Sequence, residues 1–143
     1  MLKLIVFIRP FAKYLLLLWA IAIMVVSSTP NIVVPKIHTA HADIRLDYLI
    51  HFLEYGLLTG LSFLTFTGEK FATEISRAIK IALILVIFAT IDEFHQKLIP
   101  GRSFNPVDLY SNISGIVAGV IISIILFRKI AGLNRSGVAE KEE

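Results

Sequence analysis

Four apolar stretches, at roughly 11–29, 46–67, 78–98 and 107–127, decide what this chain can fold into. Each holds about 20 residues, and a helix rising about 1.5 Å per residue carries that many across a hydrocarbon core of roughly 30 Å. Leu15–Leu18 and Ile81–Phe88 are apolar all round, as helices in contact with lipid are. The chain has 143 residues, of which 56% are hydrophobic and 17% charged. A soluble bundle of four buried helices would leave much of that apolar surface without a partner. The expected fold is all-α: a polytopic membrane protein, a bundle of four transmembrane helices forming one domain over 1–131. A short polar tail of mixed charge over 132–143 is expected to be disordered and cytoplasmic.

Cysteine is absent, which excludes disulfides, thiol catalysis and cysteine-based metal sites. Lys3, Arg9 and Lys13 precede the first apolar run, so a cleaved signal peptide competes with a retained span there. The run is long and no A-x-A-like site follows it, which favours a retained span carrying Tyr14 and Trp19.

Charge gives the expected orientation. Ten of the fourteen basic residues fall in the N-terminus, the 68–77 loop with Lys80, and the tail: Lys3, Arg9, Lys13, Lys70, Arg77, Lys80, Arg128, Lys129, Arg135 and Lys141. The 30–45 and 97–106 loops hold Lys36, Arg45, Lys97 and Arg102. The positive-inside rule then puts both termini in the cytoplasm, with the chain in the inner (cytoplasmic) membrane. Basic residues beside a membrane explain the net charge of +3 without nucleic acid. Asp43, Asp47, Glu54, Asp92, Glu93 and Asp108 segregate to the outer side. Carboxylates barely influence orientation, so their segregation needs another cause.

That cause is sought in their spacing. Asp47, His51, Glu54 and Tyr55 lie at i, i+4, i+7 and i+8 and share one helix face. The face must turn toward other helices, because ionisable groups in spans avoid lipid. Asp92 and Gln96 share a face of the third run; Glu93 points about 100° away and is expected to face the headgroups. Pro100-Gly101 stops that helix. Asn105 is placed as an N-cap, with Pro106 at the first helical position and Asp108 at the third, where Asp108 could serve only the helix dipole. Asn112, Gly115 and Gly119 continue its face, the glycines admitting a close helix. Gly56 and Gly60 form a G-x-x-x-G, a weak signal for dimerisation.

Three functional readings follow. The cluster is a structural hydrogen-bond and ion-pair network; or it binds a polar headgroup from the outer leaflet, with Arg102 suited to a phosphate or carboxylate; or it is catalytic. In the third reading His51 beside Asp47 or Asp92 acts as general base. A metal held by His51, Asp47, Asp92 and Asp108 is a variant of it. No metal site is assigned and no cofactor follows from the sequence. His38, His41 and Asp43 read better as a solvated loop than as ligands. The ligand-binding set is Asp47, His51, Tyr55, Asp92, Glu93, Gln96, Arg102, Asp108 and Asn112. The expected partner is a membrane lipid or a lipid-linked envelope precursor.

Taken in order, D-x-x-x-H-F-x-x-Y at Asp47, His51, Phe52 and Tyr55, D-E-x-x-Q at Asp92, Glu93 and Gln96, P-G-R at Pro100, Gly101 and Arg102, and D-x-x-x-N-x-x-G at Asp108, Asn112 and Gly115 resemble the VanZ-like family of small bacterial membrane proteins. The resemblance implies a four-helix envelope protein, and the family's namesake is linked to low-level resistance to teicoplanin. An outer-facing site would suit a lipid-linked precursor or a lipid-anchored drug. A membrane-embedded hydrolase or transferase acting on such a ligand is the alternative. The family usually carries a lysine directly after the first aspartate, where this chain has Tyr48.

Overall fold

The computed structural model describes residues 2–31, 36–38, 43–68 and 74–139. Helix α1 (Leu2–Ile8) passes through a 3-10 turn at Arg9–Phe11 into α2 (Ala12–Ser27). Pro10 lacks a backbone N–H, so one turn tightens there instead of continuing the regular ladder. Strands β1 (Lys36–His38) and β2 (Asp43–Arg45) form an antiparallel hairpin, and α3 (Leu46–Phe66), α4 (Ile75–Gln96) and α5 (Pro106–Ala139) follow. The fold is thus helical apart from a small hairpin in the expected 30–45 loop. Pro35, His41 and the side chains of His38 and Asp43 lie outside the described residues, as do Glu69, Lys70 and 140–143.

Among the described residues, three segments are long and apolar enough to cross a membrane: Ile5–Ser27, Leu46–Phe66 and Pro106–Gly132. Helix α4 has the length, at 22 residues, but carries Arg77 and Lys80 near one end and Asp92 and Glu93 near the other. Its Ile81–Ile91 stretch holds no charge. The exterior is apolar, with Leu18, Ile84 and Ile122 each about two-thirds exposed. The interior is half polar, since twelve polar or charged residues and twelve apolar ones are buried among the described residues. That inversion of a soluble protein's pattern is what a lipid solvent selects.

Helices α3 and α5 approach until their backbones touch. A Cβ placed on Gly115 would stand 2.2 Å from the Phe52 carbonyl oxygen, and one on Gly119 would stand 2.9 Å from that of Gly56. The glycines therefore serve the close approach expected of them. Gly56 faces Gly115 inside the chain, while Gly60 has open space beside it. Buried hydroxyls are satisfied locally: Thr59 donates to the Tyr55 carbonyl at 2.7 Å and Ser62 to that of Leu58 at 2.8 Å.

The bundle has two unlike ends. At one, Arg9 donates to the Thr67 carbonyl at 2.7 Å and Arg77 to that of Phe66 at 3.3 Å, with Phe63 and Phe127 packed edge-on nearby. At the other, Trp19 donates from its indole N–H to the Glu54 carbonyl at 3.0 Å, holding α2 on α3. This second, polar end gathers the end of α2, the start of α3, the end of α4 and the start of α5. Helix α5 runs on to Ala139, past Gly132, where the sequence suggests a disordered tail; no proline interrupts 132–139, so the helical ladder propagates.

Candidate functional site

The turn before α5 sets the geometry of the polar end. Arg102 N–H donates to the Ile99 carbonyl at 3.0 Å, closing a turn in which Pro100 precedes Gly101 at φ +77°. This is the positive φ that a type II turn needs at its third residue, and glycine meets it without strain. Asn31 fills the space where a Gly101 Cβ would stand. Asn105 then caps α5, its Oδ1 accepting from Val107 N–H at 3.0 Å, and Pro106 occupies the first position, where no N–H is required. Asp108 enters the first turn of α5 facing the bundle.

Every residue of the expected site lies at this one end, and all but the half-buried Arg102 are buried. Tyr55 donates its hydroxyl to Asp92 Oδ2 at 3.0 Å, tying α3 to α4, with Phe88 against its ring. Glu93 is the correction. It does not face the headgroups but is fully buried, its Oε1 accepting from Asn112 Nδ2 at 3.3 Å and from Gln96 Nε2 at 3.4 Å. Neighbouring residues on a helix point about 100° apart, and α4 ends in a wedge whose two flanks are both covered. Asp92 meets α3 and Glu93 meets α5.

His51 lies beside Asp108 and Glu54 rather than beside the Asp47 or Asp92 expected of a general base. Its Nε2 is 3.9 Å from Asp108 Oδ2 and its Nδ1 is 4.0 Å from Glu54 Oε2. Asp92 is taken by Tyr55. Asp47 forms an ion pair with Arg45, which also stacks over the Tyr48 ring at 5.5 Å. Arg45 thus supplies a cation to Asp47 from two residues upstream. Burial disfavours its charge, but Asp47 outweighs this, so the Arg45 pKa is raised. Arg45 was not among the residues expected from sequence. Its only signal is a position two residues before Asp47, on the loop side of α3.

Arg102 donates to the Val26 carbonyl at 2.9 Å, in the last turn of α2, where helix carbonyls lack intrahelical partners. It also borders two cavities. The smaller, about 70 Å³, runs from Ile23, Val26 and Ile50 to Asp47, His51, Glu54 and Asp92. The larger, about 290 Å³, is lined by Arg45, Tyr48, Gln96, Gly101, Ser103, Phe104, Asn105 and Asp108 as well. A cleft of about 380 Å³ at the opposite end has mostly apolar walls, with Ser62, Arg77 and Lys80 among its lining.

Among the described residues, His51, Glu93 and Asp108 are the group whose donor atoms could hold a metal ion, all lying within 4.8 Å of one another. Two of the residues expected in a metal variant, Asp47 and Asp92, fall outside that group, and Glu93 joins it.

The family model described as VanZ/LLP1 matches residues 2–128. Comparison with curated proteins and with solved structures finds no match. The matched span holds the α3 face, the α4 end, the Pro100-Gly101 turn and the α5 face that together build the polar end, and the chain belongs to the VanZ-like family.

Proposed function

We propose that this chain is a four-span envelope protein of the inner membrane, with both termini cytoplasmic and its polar end facing outward. There it binds the charged headgroup of a lipid-linked envelope precursor or a similarly amphiphilic molecule, teicoplanin included. The observation that carries the reading is the cavity of about 290 Å³, where Arg45, Arg102, Gln96, Ser103 and Asn105 converge. Two guanidinium groups at one mouth suit a phosphate or carboxylate, which arginine can engage through paired N–H donors. The exterior beside it is apolar, so a ligand with an acyl or isoprenoid tail could keep that tail in lipid while its headgroup enters. The uncharged Ile81–Ile91 stretch supports α4 as the fourth span, because its charges lie toward the ends, where side chains reach the interface.

Binding of a polyprenyl phosphate to the detergent-purified protein tests this. Wild type binds saturably, and Arg102→Ala weakens binding about tenfold or more, the loss of roughly 1.5–3 kcal/mol expected for a charge-assisted hydrogen bond. Unchanged affinity in a folded Arg102→Ala protein contradicts the headgroup reading. Cleavage or transfer of the bound ligand in the same assay would move the function to the enzymatic alternative.

A further inference from the structure

The polar end holds more buried carboxyl groups than its cations satisfy. Arg45 is engaged by Asp47 and acts on Asp108 only at longer range, Arg102 donates to the Val26 carbonyl, and among the described residues no arginine or lysine forms a salt bridge with Glu93 or Asp108. Buried carboxyl groups are costly as anions unless they are paired or coordinate a metal, and otherwise they take up a proton. Several side-chain atoms here have no hydrogen-bond partner: Glu93 Oε2, Asp108 Oδ1, His51 Nδ1 and Asn112 Oδ1, besides Asp92 Oδ1, His95 Nδ1 and Arg102 Nε. Glu93 and Asn112 are fully buried, so water does not compensate them at the surface.

From this we infer that His51, Glu93 and Asp108 form a binding site for a divalent transition metal, of the zinc or manganese class. Their donor atoms already lie within 4.8 Å of one another, and small side-chain rotations would close them on one ion. One imidazole with two carboxylates is a mixed nitrogen and oxygen set, which suits zinc or manganese better than magnesium or calcium. The surroundings match a ligand shell. Gln96 and Asn112 both donate to Glu93 Oε1, which leaves Oε2 for an ion. Behind His51, Glu54 stands 4.0 Å from Nδ1, while Nε2 faces Asp108. At that distance Glu54 makes no hydrogen bond to the ring, and Nε2 is the nitrogen turned toward the other two candidate ligands. Asp108 also lines the polar cavity, which offers the ion a route from outside the bundle. The site would neutralise the cluster and join α3, α4 and α5 through one ion.

The inference does not depend on headgroup binding, and its test uses metal alone. The detergent-purified chain is stripped with a chelator, dialysed against zinc or manganese, and assayed for bound metal and melting temperature. Wild type is expected to retain about one equivalent and to melt higher with metal than without. Glu93→Gln and His51→Ala are expected to lose at least tenfold in affinity, and Glu74→Gln, at the far end of α4, to bind as wild type does. Less than a tenth of an equivalent in wild type overturns the inference, as does equal binding by folded Glu93→Gln. Should neither site variant fold, the wild-type melting curve decides. A rise with zinc or manganese but not with equal magnesium or calcium supports the site. No rise, or the same rise with all four, overturns it.

Discussion

Tyr55 and Asp92 show how a single side chain acts in this protein. Tyr55 brings a hydroxyl into the interior between α3 and α4, and Asp92 Oδ2 accepts from it at 3.0 Å. Tyr55→Phe keeps the ring against Phe88 and removes only that donor. The expected cost is about 1–2 kcal/mol, because a buried carboxyl group loses its partner, and a lower melting temperature in detergent would record it. An unchanged melting temperature would mean that the bond adds nothing to the fold. Most of the clustering at the polar end was legible at this scale. The i, i+4, i+8 spacing of Asp47, His51 and Tyr55 fixes a common face whatever packs on it. Glu93 was not legible, because a helical angle says where a residue points but not which neighbour covers it. Arg45 was hidden for a similar reason. It lies before α3 begins, where no periodicity applies, and only the folded loop returns it to Asp47.

At the scale of elements, the contact between α3 and α5 organises the bundle, and small residues make it possible. Gly115→Ala would push a methyl group to 2.2 Å from the Phe52 carbonyl oxygen, so one backbone must move. Overpacking of this kind costs about 1–3 kcal/mol. Gly60→Ala meets nothing within 4 Å and is expected to be neutral or to stabilise, by up to about 1 kcal/mol of helix propensity. Thermal melting of the two variants side by side separates packing from propensity, and equal losses would contradict the close-approach account. The sequence made Gly115 and Gly119 readable as contact residues because they continue the Asn112 face. It did not identify their partner, since G-x-x-x-G at Gly56 and Gly60 equally suggests a second chain. The stop at Pro100-Gly101 and the Asn105 cap were legible, because proline, glycine and asparagine each restrict local geometry in a known way; the geometry of the turn between them was not. The extension of α5 to Ala139 was not, because a polar sequence without proline can either fray or continue a helix. At about 1.5 Å per residue its 34 residues reach roughly 50 Å, beyond the thickness of a hydrocarbon core.

Across the whole molecule, an apolar exterior encloses an interior that is polar at one end and packed with Leu58, Phe63, Ile116 and Phe127 elsewhere. Composition made this inversion legible, since so apolar a chain must leave most of its large side chains outside. The charges on α4 make it the element whose role depends most on the surroundings. Its end carries Asp92 and Glu93 into the cluster, so α4 must cross with α3 and α5 if the polar end is to lie at one membrane face. The account's central claim is that this end faces outward, where a headgroup could reach Arg102. The native chain has no cysteine, so one introduced residue reports without background. Ser103→Cys, on the exposed turn beside Arg102, tests the claim most directly by labelling intact cells with a membrane-impermeant thiol reagent. Labelling from outside is the expected result, and labelling only after the cytoplasm is opened would overturn the outward orientation.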